Sequence, residues 1–308
     1  MTSRAYQQVD VFTDTAFLGN PLAVVLDGQG LNDAQMQAFA AWTQLSETTF
    51  VLPPTPEGAA GGADYRVRIF TPGAELPFAG HPTLGTARAW LNAGHQPRQS
   101  GQLVQECGVG LVTLKQLGER WAFAAPALNR SDIPADKLAP VLAALGLDAS
   151  EVMAAQNLDN GPHWLGLLVD DVATVLALEP DHAALKKLGI KVGVAARRSA
   201  PATGLIRRAN REARAFTASS TPIANDTTDL EVRAFAAPIG VAEDPVTGSL
   251  NASLAQWLMA DGHMPPNYSA RQGTVLGRAG QVFLSQDAQG QVWVGGDVVS
   301  CIAGVVHL

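Results

Sequence analysis

The chain has 308 residues, 47% of them hydrophobic and 16% charged, with a formal net charge of −7. That is enough apolar material for large cores in roughly one to three domains, and the acidic balance excludes the basic footprint of a nucleic-acid binder. No apolar run reaches a membrane span, the N-terminus lacks an apolar signal segment, and Cys107 and Cys301 are the only cysteines, so a soluble protein of the reducing cytoplasm is expected.

In chain order, Val9-Asp10-Val11-Phe12 and Leu22-Ala23-Val24-Val25-Leu26 read as strands about the turn Gly19-Asn20-Pro21. Asn32 is placed to cap a helix running through Trp42, with Met36, Phe39 and Ala40 at helical spacing. Ser46 to Leu52, rich in Thr, Phe and Val and stopped by Pro53-Pro54, is expected as a strand, and Tyr65 to Phe70 as another with one wetter face. A helix follows from Thr83. Pro126 to Asp148 reads as a junction with a helix near Ala135–Leu145. Beyond it Gly161 to Asp170 faintly echoes Asn20 to Asp27, and a helix at Asp181–Leu188 follows. Lys191 to Ala195 then stands where the first copy has Ser46 to Leu52, without an acid at the place of Glu47. In the last helix Leu250, Leu254, Trp257 and Leu258 recur at i, i+4, i+7 and i+8 among small residues, the mark of a helix enclosed on most sides.

The echo belongs to a duplication. Pro82-Thr83-Leu84-Gly85-Thr86 and Pro245-Val246-Thr247-Gly248-Ser249 each open a helix, about 160 residues apart. Arg68-Ile69-Phe70 precedes the first and Arg233-Ala234-Phe235 the second, and the helices end at Gly94-His95 and Gly262-His263. Gly110 to Leu114 with Trp121 returns as Gly280 to Leu284 with Trp293, the offset drifting from 163 to 172. The expected fold class is α+β: two similar lobes, 1–125 and 126–308, each a mixed, barrel-like sheet wrapped around a central helix, with a last strand at about 297–308 placed to return to the first lobe. An ordinary α/β sandwich is the alternative. Two helix N-termini facing one cleft would offer unpaired N–H groups and partial positive charge to a shared anion.

The six histidines, at 81, 95, 163, 182, 263 and 307, show no metal-ligand spacing, and no glycine-rich phosphate loop leads into a helix. No metal or other cofactor is expected. Glu47 admits two readings: a solvated strand charge, or a carboxylate on a cleft wall whose proton affinity is raised by desolvation. Asp244, directly before Pro245, suits a helix cap, and Glu243 beside it would couple to it if both pointed the same way. His81 is either a structural loop histidine or, as the mirror of Asp244, a hydrogen-bonding group at the opposed helix mouth. Ser249 and Thr86, equivalent in this register, offer hydroxyls either to a carboxylate or to ordinary caps. His95 and His263 complement their helix dipoles. Arg207-Arg208-Ala209-Asn210-Arg211 with Arg214 reads as a solvated charged segment or a guard for an acidic ligand.

Asp10-Val11-Phe12 with Gly19-Asn20-Pro21, Ser46-Glu47-Thr48-Thr49-Phe50, Phe78 to Gly85, Glu243 to Ser249, and Gln272-Gly273 with Gly277-Arg278-Ala279-Gly280 stand in the order seen in the phenazine-biosynthesis PhzF-like family, which the chain resembles from about residue 8 to 300. The resemblance implies the diaminopimelate-epimerase-like fold with its active site between the lobes. It makes Glu47 the acid/base, and Asp244, with His81, a partner for a substrate amine or hydroxyl or a second proton-handling group. Ser46, Asn20, Gly80, Thr83, Gly85, Gly248 and Ser249 are the expected substrate contacts. Two-base racemases and epimerases of this fold resemble one another in placing a cysteine at each helix mouth; here those places hold Gly80-His81 and Asp244, which disfavours a thiol mechanism.

The expected function is a cofactor-independent isomerase moving a proton within a small, carboxylate-bearing cyclic or unsaturated metabolite, similar to trans-2,3-dihydro-3-hydroxyanthranilate isomerase, in a family-like homodimer without nucleic-acid or membrane partners. The alternatives are a racemase, epimerase or dehydratase of a small amino or hydroxy acid, and a non-catalytic small-anion binding protein.

Overall fold

The computed structural model describes residues 2–198 and 227–308. The arginine-rich stretch from Arg207 to Arg214 lies outside the described residues. One succession of strand pairings occurs twice. In the first lobe Ser3–Val11 is antiparallel to Asn20–Val25, which runs parallel to Thr48–Leu52, itself antiparallel to Tyr65–Phe70. Tyr65–Phe70 also pairs with the short Glu75–Leu76 and runs parallel to Gln102–Cys107, from which hairpins lead to Gly110–Leu117 and Arg120–Ala124. The second lobe repeats this in the same senses with Val152–Asp159, His163–Val169, Val192–Arg197, Leu230–Ala236, Val241–Asp244, Asn267–Gln272, Gly280–Gln286 and Val292–Gly296. The class is α+β, with two similar lobes.

Three pairings join the lobes. Arg120–Ala124 is antiparallel to Val292–Gly296, so the closing strands of both copies meet. Past each of them the chain crosses over: Asn129–Ser131 pairs with the opening strand of the second lobe, and Val298–His307 with the opening strand of the first.

A helix fills each lobe, Gly80–Asn92 in the first and Gly248–Ala260 in the second. Leu250, Leu254, Trp257 and Leu258 are all essentially unexposed, as their spacing required; burying each such side chain is worth about 1.5–3 kcal/mol. The helix starts correct the sequence register. The helices begin at Gly80 and Gly248, 168 residues apart, rather than at Thr83 and Pro245. Pro77-Phe78-Ala79 therefore matches Pro245-Val246-Thr247, and both helices are followed by a left-handed glycine, Gly94 (φ 91°) and Gly262 (φ 72°). Pro82 misleads because it sits at the third helical position, where its missing N–H has no helical acceptor to lose. In this register the partner of His81 is Ser249, and the partner of Gly248 is Gly80.

Smaller differences place Glu47. The strand expected from Ser46 begins at Thr48, leaving Glu47 at its mouth. The preceding helix, Asp33–Thr43, starts at an Asn32–Gln35 capping box and ends at Gln44, whose left-handed backbone (φ 56°) turns the chain back toward the sheet. Among the described residues no helix is long and apolar enough to cross a membrane.

Candidate active site

Glu47, His81 and Asp244 converge at the lobe boundary. Thr48 and Thr49 are fully buried just after Glu47, and hydroxyl contacts from Thr43 to Thr48 (3.0 Å) and from Thr86 to Thr49 (2.9 Å) tie this strand start to its neighbouring helices. Glu47, 17% exposed, places Oε2 3.0 Å from Nδ1 of His81, which is buried in the first turn of the Gly80–Asn92 helix. Asp244 ends a short strand of the second lobe and reaches the same place from the opposite side. Asn20 of the first lobe donates from Nδ2 to Asp244 Oδ1 (3.1 Å) and to the Val246 carbonyl (2.9 Å), bridging the lobes. Its own Oδ1 is buried without a hydrogen-bond partner among the described residues.

The two helix mouths touch. A methyl on Gly248 would stand 3.2 Å from the His81 backbone nitrogen and 3.3 Å from Gly80 Cα. A methyl on Gly80 would enter the Phe123 ring at 2.4 Å, so only glycine lets the first helix start there. Neither helix has a side-chain cap among the described residues: Ala79 cannot supply one, and the Thr247 hydroxyl is turned to Asp244 instead. Two sets of free N–H groups and two positive dipole ends thus meet at one point, the arrangement that receives an anion.

Burial raises Asp244 from 3.8 to about 6, with the Glu47 charge adding to the rise, while hydrogen bonds from Thr247 and Asn20 and the charge of His81 moderate it. The site thus pushes the Asp244 carboxyl toward neutrality. Burial opposes the charged form of His81, yet the Glu47 carboxylate, with smaller help from Asp244 and the Pro21 carbonyl, outweighs it and lifts the imidazole above its ordinary 6.5. The site is two carboxylates from different lobes around one imidazole held toward its protonated form.

Of the expected contacts, Ser46 lies half-buried beside Glu47, and Gly80, Gly248 and Ser249 form the helix mouths. Ser249 Oγ accepts from Trp164 Nε1 (3.2 Å) and its carbonyl from Asn160 Nδ2 (3.0 Å), which leaves the hydroxyl to act as a donor. Thr83 and Gly85 are not at the cleft. Thr83 is fully buried, donating to the Ala79 carbonyl and accepting from Gln105, and a methyl on Gly85 would strike Leu22 at 2.5 Å; both face the lobe interior, one turn beyond the mouth. Thr86 is likewise spent on Thr49. Glu243 does not couple to Asp244, because strand alternation sends it to the other face, where it forms a buried two-pronged pair with Arg233 at 2.9 and 2.7 Å. The capping role open to Asp244 is not taken, since the helix starts four residues later. His95 stacks on Trp90 at 4.9 Å.

Thr247, Gln272 and Asn251 were not foreseen. Gln272, fully buried, accepts at Oε1 from the Thr247 amide (3.0 Å) and Asn251 Nδ2 (2.8 Å), and donates from Nε2 to the Asp244 carbonyl (2.9 Å) and Thr247 Oγ1 (3.0 Å). Thr247 Oγ1 in turn donates to Asp244 Oδ2 at 2.6 Å. The available signal was the Gln272-Gly273 pair: Gly273 has φ 91°, and a methyl there would stand 2.7 Å from the Pro245 carbonyl, which brings Gln272 against the helix mouth. Among the described residues no cluster of three or more His, Cys, Asp or Glu could hold a metal ion.

A protein-family model described as phenazine biosynthesis-like protein matches residues 9–304. Antisense-enhancing sequence 1 of Schizosaccharomyces pombe is 33% identical over 99% of both chains. Trans-2,3-dihydro-3-hydroxyanthranilate isomerase of Pseudomonas aeruginosa is 32% identical over 93% of this chain and 91% of its own length. The crystal structure of a PhzF-family phenazine biosynthesis protein from Bacillus anthracis superposes with a TM-score of 0.80 over 100% of both chains at 20% identity, a likeness of fold.

Proposed function

This chain belongs to the phenazine biosynthesis-like protein family and is an isomerase, and on that premise we propose that it moves a proton between two carbons of a small carboxylate-bearing, cyclic or unsaturated metabolite without a cofactor, with Glu47 as both base and acid. The observation that carries this reading is the meeting of Glu47 and His81 at two uncapped helix N-termini. The substrate carboxylate docks on the free N–H groups. Glu47 takes a proton from the adjacent carbon, and the electron pair moves into the conjugated system, where the helix dipoles and the protonated His81 stabilise the developing charge. The proton then returns at the far end of that system on the same face. Asn20 Oδ1 accepts from a substrate amine or hydroxyl, and Asp244 holds a second polar group or its proton.

The second lobe supports a one-faced transfer. Where the first lobe has Glu47 before its strand, the second has Lys191, whose Nζ lies 4.7 Å over the Trp164 ring, so the carboxylate base has no mirror image. One observation favours a racemase or epimerase instead: Asp244, at about 6, is a second group able to exchange a proton near neutrality.

The test is incubation of cyclic amino and hydroxy carboxylates, trans-2,3-dihydro-3-hydroxyanthranilate among them, in heavy water with wild type and Glu47→Gln, followed by NMR. Positional migration of hydrogen that falls about 100-fold or more in the variant is expected. Inversion with label wash-in at a single carbon selects the two-base reading, and undiminished turnover by Glu47→Gln removes Glu47 as the base.

A further inference from the structure

We propose that Gln272 is a positioning residue that aims the Thr247 hydroxyl at Asp244 Oδ2. This deepens the reading above, on which Asp244 belongs to the reaction, but its structural content is separate. The argument is one of donor direction. Asn251 Nδ2 donates both to the Thr247 carbonyl (2.9 Å) and to Gln272 Oε1 (2.8 Å), and the Thr247 amide N–H donates to the same oxygen (3.0 Å). The end of Gln272 facing two N–H groups must be its oxygen, since a flipped amide would set NH₂ against two donors. Its nitrogen therefore faces the Asp244 carbonyl and Thr247 Oγ1, donating to both. With its oxygen already accepting, the Thr247 hydroxyl directs its hydrogen to Asp244 Oδ2, 2.6 Å away. With Asp244 ionised, each link has one allowed direction, and the last ends on its carboxylate.

The first lobe shows that such a glutamine need not serve this purpose. Gln105, also fully buried, accepts from the Tyr65 hydroxyl (3.1 Å) and donates to Thr83 Oγ1 (3.0 Å), which passes its hydrogen to the Ala79 carbonyl; that relay ends on backbone. Of the two relays, the one in the second lobe ends on a carboxylate. Among the described residues, the ionisable groups that act on Asp244 are Glu47 and His81, both from the first lobe, and neither is bonded to Gln272 or Thr247. A donor on the ionised carboxylate lowers its proton affinity, so loss of the Gln272 constraint raises it.

The experiment is a pH titration of the Asp244 carboxyl by carbon NMR in aspartate-labelled, ligand-free protein, run beside the pH profile of turnover. Gln272→Met and Thr247→Val are each expected to raise the Asp244 midpoint by about one unit, as loss of one hydrogen bond to a charged group implies. The double variant is expected to match either single one, and Thr247→Ser to restore the wild-type midpoint. An unmoved midpoint in Gln272→Met, or shifts that add in the double variant, overturns the proposal. Should Gln272→Met not fold, Gln272→Asn, which withdraws the amide by one methylene, is expected to give the same rise, and an unmoved midpoint there overturns it equally. A midpoint that moves while the turnover profile stays put leaves the positioning role intact and removes Asp244 from the reaction.

Discussion

Gly248 of the second lobe lies against His81 of the first, so close that a methyl group on it would stand 3.2 Å from the His81 backbone nitrogen. Alanine is the better helix former, so Gly248→Ala is expected to leave the thermal midpoint within about 3 °C of wild type. The same methyl forces the two helix mouths apart by a few tenths of an ångström and is expected to weaken carboxylate binding about tenfold, read as a rise in KM. Unchanged KM would mean that the anion sits elsewhere.

His81 beside Glu47 predicts an alkaline limb in turnover. Its protonated form is favoured to a pH above the ordinary 6.5, so activity that needs the imidazolium is present below that point and lost as pH rises through the raised value. His81→Gln is expected to lower kcat about 100-fold and to abolish this limb, whereas a limb that survives the substitution belongs to another group.

Asp244 makes stability depend on pH in a definite sense. An unfolded aspartate releases its proton near 3.8, the folded one only near 6, so between these values the folded state binds more protons and stability falls as pH rises. The full effect is on the order of 3 kcal/mol. His81, also raised, adds a loss of the same sign at higher pH. Urea unfolding at pH 4, 5, 6 and 7 is expected to show Asp244→Asn gaining on wild type across the lower part of that range. A constant difference between the two proteins would contradict the assignment.

Arg233 is buried, paired to Glu243 and donating to the Val175 and Leu178 carbonyls at 3.1 and 2.8 Å. Arg233→Met leaves a buried carboxylate alone and is expected to cost about 3–5 kcal/mol by denaturant unfolding. Replacing both partners, Arg233→Met with Glu243→Leu, is expected to cost less than the single change, because no charge is stranded. The reverse order would show that the Glu243 carboxylate is not stranded by the loss of Arg233.

Most of the architecture was legible because strand punctuation survives duplication: Arg68-Ile69-Phe70 and Arg233-Ala234-Phe235 do mark equivalent strands. The helix register was not, since Pro82 is tolerated inside a first turn and so resembled a boundary. Glu47, His81 and Asp244 were found as motif residues, and the structure brings them together. Thr83 and Gly85 belong to the same motif but lie on the part of the helix that packs into the sheet, a distinction set by three-dimensional facing rather than by spacing. Glu243 looked like a neighbour of Asp244 until strand alternation turned it away. The grip of Gln272 on Thr247 joins residues 25 positions apart across a sheet and helix start, and the Gln272-Gly273 pair is its one local trace.

The crossing of strands between lobes also governs how the polypeptide can be divided. Thr2 and Leu308 bond reciprocally at 2.7 and 3.1 Å, and the ten-residue ribbon Val298–His307 shuts the sheet that Ser3–Val11 opens. A fragment stopping near Pro126 loses that ribbon and exposes the long edge beneath it. The first half on its own therefore lacks the ribbon that completes its sheet, whereas the second carries Asn129–Ser131 with it.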